Sequence, residues 1–168
     1  MRWTLRAFEC LALLSLMGTG ASALAQPDEE RARKIVGGVC FVCHGADGES
    51  SSEVFPRLAG QHWEYTAKQL ENFKSGKRKS TTMSTMVAKL TAEDMVALGK
   101  YFEKKAAPRE PAKDEDLSGM GKYIYLHGNR FSGLPACASC HGKDGLGTAS
   151  LPRLAGQYAV YIETQLKQ

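Results

Sequence analysis

Apolar residues recur at helical spacing in several stretches of the chain, and polar caps mark where those stretches begin. After Thr91, the residues Met95, Leu98 and Phe102 share one face at i, i+3 and i+7. Thr91 reads as an N-cap, with Asp94 three residues on to close a capping box. Leu90 and Met95 are placed for a hydrophobic staple. A second helix is predicted over about His62 to Lys74, with Tyr65, Gln69 and Leu70 on a shared face. An opening helix runs from about Asp28, acidic in its first turn, towards Cys40. Gly37 and Gly38 within it are poor helix formers and suggest a close backbone crossing. Further on, Leu117, Met120 and Ile124 line one face of another helix. The reading is all-α.

The N-terminus follows a different pattern. Arg2 and Arg6 precede the apolar run Leu11 to Met17, and small residues end in Ala23-Leu24-Ala25. That is a secretory signal peptide over residues 1–25, with cleavage expected after Ala25. The run is too short for a spanning helix, and an uncleaved anchor is the alternative. Cys10 leaves with the signal, so the mature chain keeps four cysteines.

The chain then repeats itself. Pro56-Arg57-Leu58-Ala59-Gly60-Gln61 recurs as Pro152-Arg153-Leu154-Ala155-Gly156-Gln157. Tyr65, Gln69 and Leu70 recur as Tyr161, Gln165 and Leu166. A repeat this close means a duplicated domain. The proline-bearing, polar stretch over 106–116 has linker chemistry and divides domain 1 at 26–105 from domain 2 at 117–168.

Each repeat carries a Cys-x-x-Cys-His motif, Cys40 to His44 and Cys137 to His141, each followed by Gly-x-Asp-Gly. Cysteines three apart on a helical turn face the same way, so both thiols can add to the vinyl groups of one haem. The adjacent His44 or His141 can then reach the iron from the same side. Two motifs mean two haem c groups. A zinc site and two short disulfides are the alternatives, but the pairs lie 97 residues apart and each is followed by histidine. The long Gly- and Ser-rich loop after the first motif needs a reason, and wrapping a haem is one.

Composition changes little. Without residues 1–25, which hold two arginines and one glutamate, the net charge falls from +4 to +3. Nothing argues for nucleic acid. The basic run Lys74 to Lys79 is a solvated loop or a docking surface for an acidic redox partner. There is no phosphate-binding glycine loop and no Ser-His-Asp set.

These motifs resemble the dihaem cytochromes c of the cytochrome c4 type, built from two class I cytochrome c domains. The resemblance covers about Ala32 to the C-terminus and rests on both CxxCHG-x-DG runs, both PRLAGQ runs and both Tyr-x-x-x-Gln-Leu helices. It implies two small all-α haem domains and periplasmic electron transfer. The partners it implies are redox proteins, a donor and an acceptor such as a terminal oxidase or a membrane complex, with peripheral membrane association in some members. It also implies His and Met as axial iron ligands, with Met83 preferred over Met86 in a loop before the last helix. Such ligation raises the reduction potential. The carbonyls of Pro56 and Pro152 would accept the histidine Nδ1–H, fixing the ring. Arg57 and Arg153 would neutralise haem propionates, with solvated arginines the plainer alternative.

The second repeat departs from the family pattern. The counterpart of Met83 would fall beyond Gln168, and no counterpart of the Thr91 helix is present. Domain 2 is therefore read as incomplete. Three explanations stand: an incomplete copy of a longer protein, a five-coordinate second haem, or an iron capped by His127 or Met120. The expected function is a non-enzymatic electron carrier with two haems. The alternatives are a haem subunit of a flavoprotein sulfide dehydrogenase-like complex and a dihaem peroxidase-like enzyme using an open second haem.

Overall fold

The computed structural model describes residues 27–109 and 114–168. The expected signal peptide (1–25) and the middle of the expected linker (110–113) lie outside the described residues. Among the described residues the structure is helical, with one antiparallel bridge between Asn129 and Leu134.

In the first half, α1 (Pro27–Ile35) passes into a π-helical turn (Val36–Cys40) and then α2 (Phe41–His44). The glycines of that turn do not mark a close crossing. A Cβ on Gly37 or Gly38 would meet nothing within 4 Å. Their weak helix propensity instead coincides with local widening of the helix, immediately before the first haem motif. The close crossing is elsewhere: a Cβ on Gly99 would lie 2.5 Å from the Trp63 carbonyl oxygen. Here α3 (Trp63–Lys74) crosses α5 (Ala92–Glu103).

The core lies between α5 and the run of α1 into the π-helical turn, where Ala32 and Val36 meet Ala97, Leu98, Tyr101 and Phe102. The capping box at Thr91 forms: its hydroxyl accepts the Asp94 N–H at 3.2 Å, and the Asp94 carboxylate accepts the Thr91 N–H at 2.9 Å. The same carboxylate pairs with Arg31, whose Nη2 donates at 3.0 Å, so a cap on α5 also pins α1. The hydrogen bond from Arg31 holds the Asp94 carboxyl down to about 2 against the opposing effect of burial.

The stretch expected as a ligand loop is instead helical, α4 (Thr81–Val87). Ser80 caps it by accepting the Met83 N–H at 3.2 Å. The Ser84 hydroxyl donates to the Phe73 carbonyl at 3.3 Å and seats α4 on α3.

The second half is built differently. Asp114 accepts the Leu117 N–H at 2.9 Å and starts α6 (Glu115–His127), which takes in Glu115 and Asp116 from the expected linker. A tight turn with the Asn129–Leu134 bridge then separates α6 from α7 (Ala138–His141). The chain continues to α8 (Ala159–Leu166). Among the described apolar side chains after residue 109, only Tyr158 is buried, whereas Leu117 is 68 % and Met120 64 % exposed.

Candidate functional site

The first haem motif sits where helix gives way to loop. Gly45 adopts φ +78° and ends α2, and its N–H closes the last turn on the Phe41 carbonyl at 3.0 Å. The loop then folds back under the histidine. Ser50 N–H donates to the His44 carbonyl at 2.9 Å, while Leu58 and Ala59 N–H groups converge on the Gly48 carbonyl at 2.7 and 3.0 Å. This places the Pro56 carbonyl where the His44 Nδ1–H donates to it at 2.8 Å. His44 is buried, and burial pushes its pKa below the ordinary value while the bond to Pro56 opposes that shift. Nε2 is therefore the nitrogen left with a lone pair for a metal. Burial pushes the Cys40 thiol up.

The second motif repeats this geometry. His141 Nδ1–H donates to the Pro152 carbonyl at 2.9 Å. Gly147 N–H donates to the His141 carbonyl at 2.9 Å, and Leu154 and Ala155 converge on the Gly145 carbonyl at 2.8 and 3.0 Å. In both loops a tyrosine hydroxyl fixes the backbone just past the histidine, but from different helices. Tyr101 of α5 donates to the Ala46 carbonyl at 3.1 Å, and Tyr125 of α6 donates to the Gly142 carbonyl at 2.5 Å.

Cys40, Cys43, Cys137 and Cys140 are all unbridged thiols. Among the described residues no group of three or more His, Cys, Asp or Glu side chains converges to hold a metal ion. The two cysteine pairs thus do not assemble a zinc-type site. In each loop, two thiols on one turn beside a histidine with a directed Nε2 fit one covalent haem. Met83 is half-buried on α4 and Met86 is 43 % exposed. Met120 is exposed on α6, and the exposed His127 ring lies against Tyr123 at 4.8 Å.

Arg57 is not solvated. It is buried, its Nε donates to the Glu49 carbonyl at 3.1 Å, and its Nη1 donates to the Gly156 carbonyl at 2.9 Å in the other repeat. Its guanidinium also stacks over the Tyr158 ring at 3.8 Å. Arg153 is half-buried and its Nε donates to the Ala155 carbonyl at 3.0 Å.

Sequence reasoning missed the contact surface between the two loops. Gln157 Oε1 accepts the Arg57 N–H at 3.0 Å and its Nε2 donates to the Arg57 carbonyl at 2.9 Å. Gln61 returns the same pair of bonds to Arg153, at 2.8 and 3.0 Å. Duplicated loops have met across a pseudo-two-fold axis, each lending a glutamine to the other. Tyr158 hydroxyl donates to the Ser50 carbonyl at 2.5 Å, and His62 Nε2 pairs with the Leu146 carbonyl at 2.8 Å. Arg78, read from sequence as one charge in a basic run, belongs to this surface. It donates to the Tyr161 hydroxyl at 2.7 Å, Gln165 Oε1 at 2.5 Å and Gln69 Oε1 at 3.0 Å.

Comparison with known proteins bears on this arrangement. The cytochrome c family model matches residues 29–125. Cytochrome c4 of Thiocapsa roseopersicina is 38 % identical over 154 residues, covering 89 % of this chain and 79 % of the relative. A thiosulfate dehydrogenase electron acceptor of Stutzerimonas stutzeri is 40 % identical over 131 residues, covering 76 % of this chain and 61 % of that protein. The crystal structure of reduced recombinant cytochrome c4 from Pseudomonas stutzeri superposes with a TM-score of 0.77 at 34 % identity, covering 83 % of this chain and 78 % of that one.

Proposed function

The chain belongs to the cytochrome c4 family of cytochromes c, which makes it a haem-binding electron-transfer protein, and on that premise we propose a two-haem periplasmic carrier of single electrons. Haem c, when bound, supplies a one-electron iron couple. Cys40 and Cys43 hold one group covalently and Cys137 and Cys140 the other. His44 and His141 present Nε2 to the irons. The carbonyls of Pro56 and Pro152 fix each ring and raise its basicity. Met83, half-buried on α4, is the sixth ligand of the first site in preference to the more exposed Met86.

The observation that carries the count of two is the duplicated geometry. The same histidine–proline hydrogen bond closes the same loop behind each cysteine pair, at 2.8 and 2.9 Å. The N-terminal pattern of charge, apolar run and small residues supports export. That one relative is named as an electron acceptor of thiosulfate dehydrogenase supports a dehydrogenase as the class of donor. The acceptor is a further redox protein, and the chain itself turns over no substrate.

The test of the ligand assignment is a pair of spectra on holoprotein. Met83→Ala is expected to lose the low-spin, six-coordinate signature of one haem, and Met86→Ala to keep it. The reverse pattern overturns the choice of Met83.

A further inference from the structure

The Pro56 carbonyl and the Arg57 N–H belong to one peptide group. His44 Nδ1–H donates into the oxygen end of that group at 2.8 Å, and Gln157 Oε1 accepts from its nitrogen end at 3.0 Å. The matching peptide, Pro152 to Arg153, takes His141 Nδ1–H at 2.9 Å and gives its N–H to Gln61 Oε1 at 2.8 Å. A hydrogen bond accepted from a peptide N–H polarises the amide and makes its carbonyl a stronger acceptor. A stronger acceptor on Nδ1–H gives the imidazole more anionic character and makes its Nε2 a stronger donor to iron.

We propose that Gln157 and Gln61 are positioning residues that tune the haems crosswise: Gln157 of the second repeat acts on His44 of the first, and Gln61 of the first acts on His141 of the second. The inference rests on the reading that both histidines ligate haem iron. Each glutamine is held for the task. Gln157 Oε1 also accepts the Tyr158 N–H at 3.0 Å and Gln61 Oε1 the His62 N–H at 3.1 Å, while each Nε2 grips the partner arginine's carbonyl. A clamp that served only to join the domains would need no bond to these two peptides in particular.

The experiment uses full-length holoprotein carrying Gln157→Met, Gln157→Glu or Gln61→Met. Two signals are read: the ¹⁵Nδ1–¹H resonances of His44 and His141, and the two midpoint potentials assigned to their haems by NMR. Methionine keeps the volume and deletes the three side-chain hydrogen bonds. Gln157→Met is expected to move the His44 Nδ1–H upfield and raise the potential of the first haem. The expected size is about two- to fivefold in its one-electron equilibrium, or roughly 20–40 mV at 59 mV per tenfold. The His141 signal and the second haem stay near wild type. Gln61→Met is expected to do the mirror image.

Gln157→Glu retains an acceptor for the Arg57 N–H and makes it stronger, so its His44 shift should run opposite to that of Gln157→Met. That sign remains readable if the methionine variant folds poorly. An unmoved His44 resonance in Gln157→Met, equal shifts at both haems, or the same sign for methionine and glutamate would each overturn crosswise tuning while leaving two-haem carriage intact. A chain purified without covalent haem overturns both, and is told apart by its spectrum alone.

Discussion

The two halves hold a histidine in the same way but stand on different foundations. The loop behind His44 and the loop behind His141 share their hydrogen bonds almost atom for atom, from the Gly48 and Gly145 carbonyls to the Pro56 and Pro152 oxygens. Around the first loop lies a conventional core, where Ala32 of α1 and Val36 of the π-helical turn pack with Leu98 and Phe102 of α5. Around the described part of the second, only Tyr158 is buried among apolar side chains, and it reaches across to Ser50 and Arg57 of the first half. The loop is thus a local device that the sequence encodes over some twenty residues, whereas packing is supplied from outside it. The second loop is held by Tyr125 of its own half and by Gln61 and Ser50 of the first.

The sharpest break in this comparison comes from truncating one apolar side chain in each half. Phe102→Ala, in the buried α1–α5 contact, is expected to cost about 3–5 kcal/mol in denaturant unfolding. Leu117→Ala, on the exposed face of α6, is expected to stay within about 0.5 kcal/mol. Equal costs would mean that the halves are packed alike.

Glycines in the two halves should respond with opposite sign. Gly99→Ala forces a methyl against the Trp63 backbone and is expected to cost about 1–3 kcal/mol. Gly119→Ala and Gly121→Ala in α6 meet nothing within 4 Å and should each stabilise by about 0.4–1 kcal/mol. Thermal unfolding of the three variants checks the signs.

An effect of similar size to that of Gly99→Ala is expected at the seam. Arg78→Met removes the donors to Tyr161 and Gln165 and should destabilise by about 1–3 kcal/mol, with faster proteolysis after residue 109. Lys77→Gln and Lys79→Gln are exposed and should leave stability unchanged. Their readout is the salt dependence of electron transfer to an acidic partner, which they should weaken.

A pH dependence in the first half centres on Asp94. Asp94 has a folded pKa of about 2, below its ordinary 3.8, so its contribution is complete above about pH 4. That contribution falls away as pH drops through about 2. Asp94→Asn should flatten this acid limb, and an unchanged limb would mean that the Arg31 pair carries none of it.

Much of this was legible in the chain. The Thr91 box and the Met95–Leu98–Phe102 face announce α5 because capping and burial both depend on residues close in sequence. The row from Ser80 to Met86 hid a helix, since serines and threonines carry no apolar period and the turn rests on a cap and on α3. Gly37 and Gly38 showed that the helix is irregular there but not how, because a π turn and a close crossing both call for glycine. The exchange of Gln61 and Gln157 was not legible locally, as each bond spans 92 or 100 residues. Its trace was the exact repetition of PRLAGQ, which duplication alone already explained. Arg78 was concealed by its neighbours: four of the six residues from Lys74 to Lys79 are basic, and nothing in that run singles out the one that is gripped.

The central claim is that the chain carries one haem in each of two like loops and passes single electrons. The most direct measurement is a spectroelectrochemical titration of purified holoprotein with covalent haem counted per chain. The account predicts two c-type haems and two one-electron transitions. A single haem, or two haems titrating in one unresolved step unaffected by substitution of His44 alone, would contradict it.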